Sequence, residues 1–154
     1  MNRFALTLLC LMPLPALADP PAALPGFDPG LAASADLGPP LTAAEFEAYA
    51  VGKTLTYGGA GAVWGQEEYL PGHQVIWAFT DQPCQYGTWT EALSADNAPM
   101  ICFIYDDSED QNCWQFYHVK TGLVALFVGE GNTALTEVDQ TSAPMQCPGP
   151  KVGV

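Results

Sequence analysis

The chain has 154 residues and a formal net charge of −13, from 17 acidic and 4 basic side chains. This length predicts one domain, and an apolar fraction of 49% is sufficient for a packed core. So acidic a protein repels nucleic acid and anionic membrane surfaces, which excludes both as partners. It would attract a basic protein or a cation.

The first 18 residues have the pattern of a secretory signal peptide. Arg3 precedes an apolar run, Phe4–Leu17, which is too short to span a membrane, and Ala16-Leu17-Ala18 is a small-x-small cleavage site. The sequence therefore predicts a periplasmic protein that is cleaved after Ala18. Cleavage removes Cys10 and, with Arg3, one positive charge, so the formal charge of −13 becomes −14.

Four cysteines remain after cleavage, and an even number in a small exported domain predicts two disulfides. Three connectivities are possible. A symmetric turn centred between residues 107 and 108 would place Cys102 opposite Cys113, which favours that bridge and leaves Cys84 to pair with Cys147. A one-residue bulge would undo this pairing. No C-x-x-C or paired Cys/His spacing is present, so we predict no metal site.

Residues 19–40 carry six prolines and no helical or strand period, which predicts an extended arm. Order is expected from Leu41. Thr42-Ala43-Ala44-Glu45 is a capping box that begins a helix over 43–51, and Gly52 can end it in a left-handed conformation. We expect one disulfide-bonded domain over 41–147 and a tail over 148–154.

After Gly52 the apolar period changes to two, and turn signals recur about every 8–12 residues. Such spacing predicts a mainly β fold, with one short N-terminal helix and an antiparallel meander of about eight strands that forms a closed or nearly closed barrel. The predicted strands are Thr54–Tyr57, Val63–Leu70, Gln74–Phe79, Gln85–Glu91, Met100–Asp106, Asn112–Val119, Leu123–Gly129 and Ala134–Asp139.

Strand alternation places a set of aromatic side chains on the inner face of this barrel. His118 alternates with Trp114 and Phe116 and is expected to point inward, where it is a ligand contact, a general base or simply a core residue. The candidate ligand-lining residues are Trp77, Trp89, Phe103, Trp114, Phe116 and His118.

Other motifs predict no chemistry. Glu67 and Glu68 lie on opposite faces of a strand and cannot act as a carboxylate pair. Gly52-Lys53-Thr54 lacks the upstream glycine and strand of a phosphate-binding loop. The acidic run over 106–110 lacks the spacing of a calcium loop and is interpreted as a solvated turn. Oxidised cysteines supply no nucleophile. We predict no catalytic residue and no cofactor.

A series of short motifs resembles a group of small exported proteins of alphaproteobacteria. The resemblance covers about 41–128, implies a periplasmic location and transfers no activity or catalytic residue. The matching motifs are Leu41-Thr42-Ala43-Ala44-Glu45-Phe46, Gly52-Lys53-Thr54-Leu55, Glu68-Tyr69-Leu70-Pro71, Trp77, Cys84, Gly87-x-Trp89, Ile101-Cys102-Phe103-x-Tyr105 and Cys113-Trp114.

These observations favour a non-enzymatic periplasmic binding or interaction module. Its partner is either a small apolar molecule inside the barrel or a basic protein on the acidic outer surface. The second version rests on fold-level analogy with periplasmic lysozyme inhibitors, which are also small disulfide-bonded barrels. The alternative is a small periplasmic hydrolase in which His118 and a nearby carboxylate act as acid and base.

Overall fold

The computed structural model describes residues 37–59, 62–130 and 133–147. The predicted signal peptide and tail, and the predicted arm up to residue 36, lie outside these ranges. No helix within them is long and apolar enough to cross a membrane. The described elements are α1 (Ala43–Ala50), β1 (Lys53–Gly59), β2 (Ala62–Leu70), β3 (Gln74–Phe79), β4 (Gln85–Leu93), β5 (Pro99–Tyr105), β6 (Asn112–Val119), β7 (Gly122–Phe127) and β8 (Ala134–Thr141).

The eight strands form a closed antiparallel barrel. Each strand pairs with the next along the chain, and β1 also pairs with β8, so the hydrogen-bonded ladder has no open edge. The predicted fold class is confirmed, and the meander is fully closed. The turns after β2, β4 and β6 lie at the end of the barrel that carries α1, which we call the helix end. The loops after β3 and β5, together with the strand ends of β1, β2, β7 and β8 on that side, lie at the opposite end, which we call the mouth.

The predicted capping box begins α1. The Thr42 hydroxyl accepts from the Glu45 amide at 3.3 Å, and the Glu45 carboxylate accepts from the Thr42 amide at 2.9 Å. Gly52 follows the helix with φ of 83°, a left-handed conformation in which a side chain would be strained. Its amide donates to the Tyr69 carbonyl at 2.8 Å, which fixes the exit of the helix on β2.

Phe46 projects from α1 into the helix end of the barrel and closes it. Its side chain is fully buried. Its ring lies 4.4 Å from that of Phe116 and edge-on to those of Tyr69, Trp89 and Phe103, at 5.3 to 6.5 Å between centroids. These rings come from four strands, so a single helical residue packs against a large part of the barrel wall.

Both disulfides have the favoured connectivity. Cys102 and Cys113 are directly opposed in the β5–β6 ladder and are bridged, as the symmetric turn predicts. Cys84, just before β4, is bridged to Cys147, 63 residues away. The second bridge ties the segment that follows β8 back to the wall of the barrel.

That C-terminal segment covers the outer face of β1. The Thr54 hydroxyl donates to the Ala143 carbonyl, and the Met145 amide donates to the outward-facing Glu68 carboxylate, both at 2.9 Å. Thr54 is consequently buried although it faces away from the barrel interior. The in–out alternation of the sequence in β1 therefore does not correspond to a core face and a solvent face.

We expect Phe46→Ala to lower the free energy of unfolding by about 3–5 kcal/mol, because it leaves a cavity among four rings that cannot collapse together. Urea denaturation measures this loss. Glu47→Ala, an exposed position on the same helix, is the matched control and should cost less than about 1 kcal/mol. Equal losses in the two variants would contradict the closing role of Phe46.

Candidate functional site

The barrel interior is hollow between Phe46 and the mouth, with a cavity of about 390 Å³. This volume lies in the range of pockets that hold small organic molecules. Aromatic side chains dominate its wall. The deeper part is lined by Tyr57, Tyr69, Phe103 and Phe116, and the part nearer the mouth by Trp64, Trp77, Phe79, Trp114 and Phe127.

Two glycines leave the space that these rings occupy. A Cβ atom at Gly65 would lie 2.7 Å from the Trp77 ring, and one at Gly87 would lie 2.9 Å from the Tyr105 ring. Both distances are shorter than van der Waals contact, and the same Cβ atoms would also clash with the backbone carbonyl oxygens of Ala78 and Ile104, so a side chain at either position would displace the ring and the neighbouring strand. Glycine at both positions lets the rings lie against the neighbouring strand and keeps the interior open.

One carboxylate, that of Glu67, lines the cavity in its buried part, with an exposed fraction of 4%. Tyr69 and Tyr105 donate their hydroxyl hydrogens to its two oxygens, at 2.8 and 2.7 Å. The Tyr57 hydroxyl lies 3.0 Å from that of Tyr69. Because Tyr69 uses its one hydrogen on Glu67, Tyr57 is the donor in that pair. Tyr57 and Tyr69 therefore form a hydrogen-bonded chain that ends on one oxygen of the carboxylate, and Tyr105 donates separately to the other oxygen.

Burial raises the pKa of Glu67 to about 7, although the hydrogen bonds from Tyr105 and Tyr69 act in the opposite direction. Burial and the negative charge of Glu67 also raise the pKa values of Tyr57, Tyr69 and Tyr105, so these phenols stay neutral and remain donors. Within the described residues, the only basic side chain at salt-bridge distance from a carboxylate is His73, whose Nε2 lies 3.8 Å from Glu47 Oε1, and both side chains are exposed. Glu67 is therefore a buried acid without a cationic partner in that part of the chain.

A second buried carboxylate, Glu137, has a different environment. It accepts from the Tyr49 hydroxyl at 2.8 Å and from the Leu123 amide at 2.9 Å, and so joins α1 to β7 and β8. Its carboxylate also occupies the space above Gly122. Glu137 does not line the cavity. Its contacts are those of a structural link between the helix and the barrel.

Four of the six predicted lining residues border the cavity: Trp77, Phe103, Trp114 and Phe116. Trp89 lies deeper at the helix end, where it is buried against Phe46 and stacked on His73 at 3.8 Å between centroids.

The prediction that His118 points inward is wrong. Its side chain is exposed and lies edge-on to Tyr49 of α1, with 5.5 Å between ring centroids. His118 is the second-last residue of β6, at the rim of the helix end. Alternation along a strand buries a side chain only where neighbouring strands extend far enough to enclose it. At the rim, where His118 lies, they do not.

The sequence interpretation missed Glu67 as a site residue. A signal was present, because Glu67 lies two positions before Tyr69 and so on the same face of β2. In the sheet it is also directly opposite Trp77 on β3. An acidic residue at an inward position of a strand, among apolar inward neighbours, indicates a buried carboxylate of this kind.

The mouth is acidic. Asp106, Asp107, Glu109 and Asp110 are exposed in the loop between β5 and β6, as the interpretation of a solvated turn predicts, and Asp107 borders the cavity. The Gln85 side chain donates to the Asp107 carboxylate at 2.6 Å. The described residues contain no group of three or more His, Cys, Asp or Glu side chains that could hold a metal ion.

Glu67 should make the protein less stable as pH rises. Its pKa is about 7 in the folded state against 4.5 ordinarily, so folding favours the neutral acid, and stability is lost as pH passes through this interval. Relative to Glu67→Gln, we expect the wild-type free energy of unfolding to fall by about 3 kcal/mol between about pH 4 and pH 8. Urea denaturation across this range measures the difference.

Glu68→Gln removes the same charge from the outer face of the same strand and serves as the control. Relative to this variant, the wild type should show no comparable fall. Parallel pH profiles for the wild type and Glu67→Gln would contradict the assignment of Glu67 as a buried acid with a raised pKa.

Comparison of the chain with protein-family models, curated proteins and solved structures gave no match. The resemblance to small exported alphaproteobacterial proteins therefore stays a prediction. A barrel of this kind is compatible with many activities, so its function has to be argued from the cavity and its side chains.

Proposed function

We propose that this protein is a binding protein of the cell envelope that holds a small, largely apolar molecule inside its barrel. The observation that carries the proposal is the aromatic cavity of about 390 Å³, closed by Phe46 at one end and bordered by exposed residues, Phe79 and Asp107, at the other. Concave apolar cavities with a few polar groups are the usual form of a small-molecule site.

The interior of the barrel restricts the choice of ligand more than the outer surface restricts the choice of partner. The acidic surface suits a basic protein partner, but net charge selects no particular one and serves equally well for solubility. The hydrolase alternative relied on an inward His118, and that side chain is exposed at the end of the barrel opposite the mouth. We therefore place the function in the cavity.

Export to the periplasm is part of the proposal. The two disulfides support it, because such bridges persist in oxidising compartments. Residues 1–18 have the pattern of a signal peptide with cleavage after Ala18. A periplasmic location would expose the barrel to small molecules that cross the outer envelope.

Mass spectrometry of the protein recovered from a bacterial periplasm should show Asp19 as the first residue. Cleavage there leaves the four cysteines that form the two bridges and removes Cys10. An Ala18→Asp variant, whose cleavage site lacks the small residue that signal peptidase requires, should remain unprocessed. Retention of Met1, or a lipid-modified N-terminus at Cys10, would contradict this address.

Ligand binding can be tested with N-phenyl-1-naphthylamine, an uncharged probe that fluoresces in apolar surroundings. We expect saturable binding with one molecule per chain. Ala125→Leu projects a larger side chain into the cavity and should weaken binding at least about tenfold, or about 1.4 kcal/mol. Ala78→Leu makes the same change on the outer face of β3 and should leave binding unchanged. Absence of saturable binding, or equal effects in both variants, would overturn the proposal.

A further inference from the structure

Glu67 places an ionisable carboxylate in an otherwise largely apolar cavity. A purely apolar ligand would form no polar interaction with it. The carboxylate is nearly fully buried, and no lysine or arginine of the described residues pairs with it. Removing an anion from water is costly unless a counter-charge or several hydrogen bonds replace the solvent. Two tyrosine hydroxyls supply part of that replacement. A carboxylate has about four acceptor positions, so acceptor capacity remains.

The wall around this carboxylate also favours positive charge. Trp77 lies directly opposite Glu67 in the β2–β3 ladder and Phe103 lines the deeper part of the same cavity, and the faces of such rings attract cations within about 6 Å of the ring centre. Attraction of this kind is strongest where water is excluded, as in the deep part of a barrel. Rings and carboxylate together are complementary to an organic cation.

The entrance to the cavity is negatively charged, as is the Glu67 carboxylate inside it. Asp107 borders the cavity at the mouth, within an exposed acidic loop. The described lysines, Lys53 and Lys120, lie at the helix end, where Lys53 is placed over the Tyr49 ring. A positive ligand would therefore be attracted towards the mouth and would find no described cation along the cavity wall.

We propose that the ligand of the barrel is an organic monocation, a protonated amine on an apolar body, whose ammonium group pairs with the Glu67 carboxylate among the aromatic rings. This inference rests on the proposed function, since it assigns a chemical class to the molecule in the same cavity. The tyrosine hydroxyls orient the carboxylate, and the ammonium group supplies the missing counter-charge. The apolar body of the ligand fills the part of the cavity nearer the mouth.

Such a ligand makes binding depend on pH through Glu67. The titratable groups that face it are Tyr57 on β1, Tyr69 on β2 and Tyr105 on β5, all of which stay neutral, while Asp107 lies at the mouth. An aliphatic amine stays protonated over the range in which Glu67 ionises. With a pKa of about 7 in the empty cavity, affinity for the cation should rise about tenfold between about pH 6 and pH 8.

The test compares two probes of nearly equal shape, protonated 2-phenylethylamine and neutral 2-phenylethanol. Isothermal titration on the full mature protein measures both affinities at about pH 6 and about pH 8. We expect the amine to bind at least about tenfold tighter than the alcohol at the higher pH. Glu67→Gln should abolish this preference without weakening the alcohol. Glu68→Gln, which removes an outward-facing charge at the next position, should retain the preference.

The outcomes separate this inference from the proposed function. If the alcohol binds as tightly as the amine at the higher pH, the cation assignment is overturned, while the apolar cavity site stands. If neither probe binds and N-phenyl-1-naphthylamine also fails, both proposals fall. If Glu67→Gln does not fold, the amine-to-alcohol ratio and its pH dependence in the wild type still decide the question.

Discussion

The pairing of β1 with β8 is the constraint on which the rest of this structure depends. It joins the first and last strands of a meander and converts an open sheet into a tube with an inside. A closed barrel of eight strands is just wide enough to be filled by side chains or to hold one small ligand. Individual residues on the inner face then determine whether the barrel is filled or hollow.

In this barrel, the helix end is filled by a side chain, whereas the part nearer the mouth is hollow. At the helix end, Phe46 fills the interior and packs against rings from four strands. Nearer the mouth, Gly65 and Gly87 let Trp77 and Tyr105 lie against the wall, and a cavity remains. The same short helix thus supplies both stability and the closed end of the cavity. At the mouth, the cavity is bordered by Asp107 of the acidic loop between β5 and β6.

At the buried acid Glu67, the requirements of stability differ from those of the proposed function. Glu67 destabilises the folded state when it ionises, because burial raises its pKa and no described cation compensates. Three tyrosines are arranged around it, and two of them donate hydrogen bonds to a carboxylate that lines the cavity. Glu137 shows the contrast, since its contacts tie α1 to the barrel and leave no face towards the cavity. An arrangement that costs stability at a cavity is characteristic of a site that gains it back on binding.

The sequence by itself determined the local structure. The capping box and Gly52 predicted the helix within one residue, and the alternating period with its turn signals predicted all eight strands, because these signals act over a few neighbouring positions. Reflection about one turn also placed Cys102 opposite Cys113. Only the tertiary structure decided that the barrel is closed and hollow, that His118 lies on the rim and that Glu67 meets Tyr105, 38 residues away. Alternation assigns a side chain to a face, but the space and the partners that it finds there depend on strands distant in the chain.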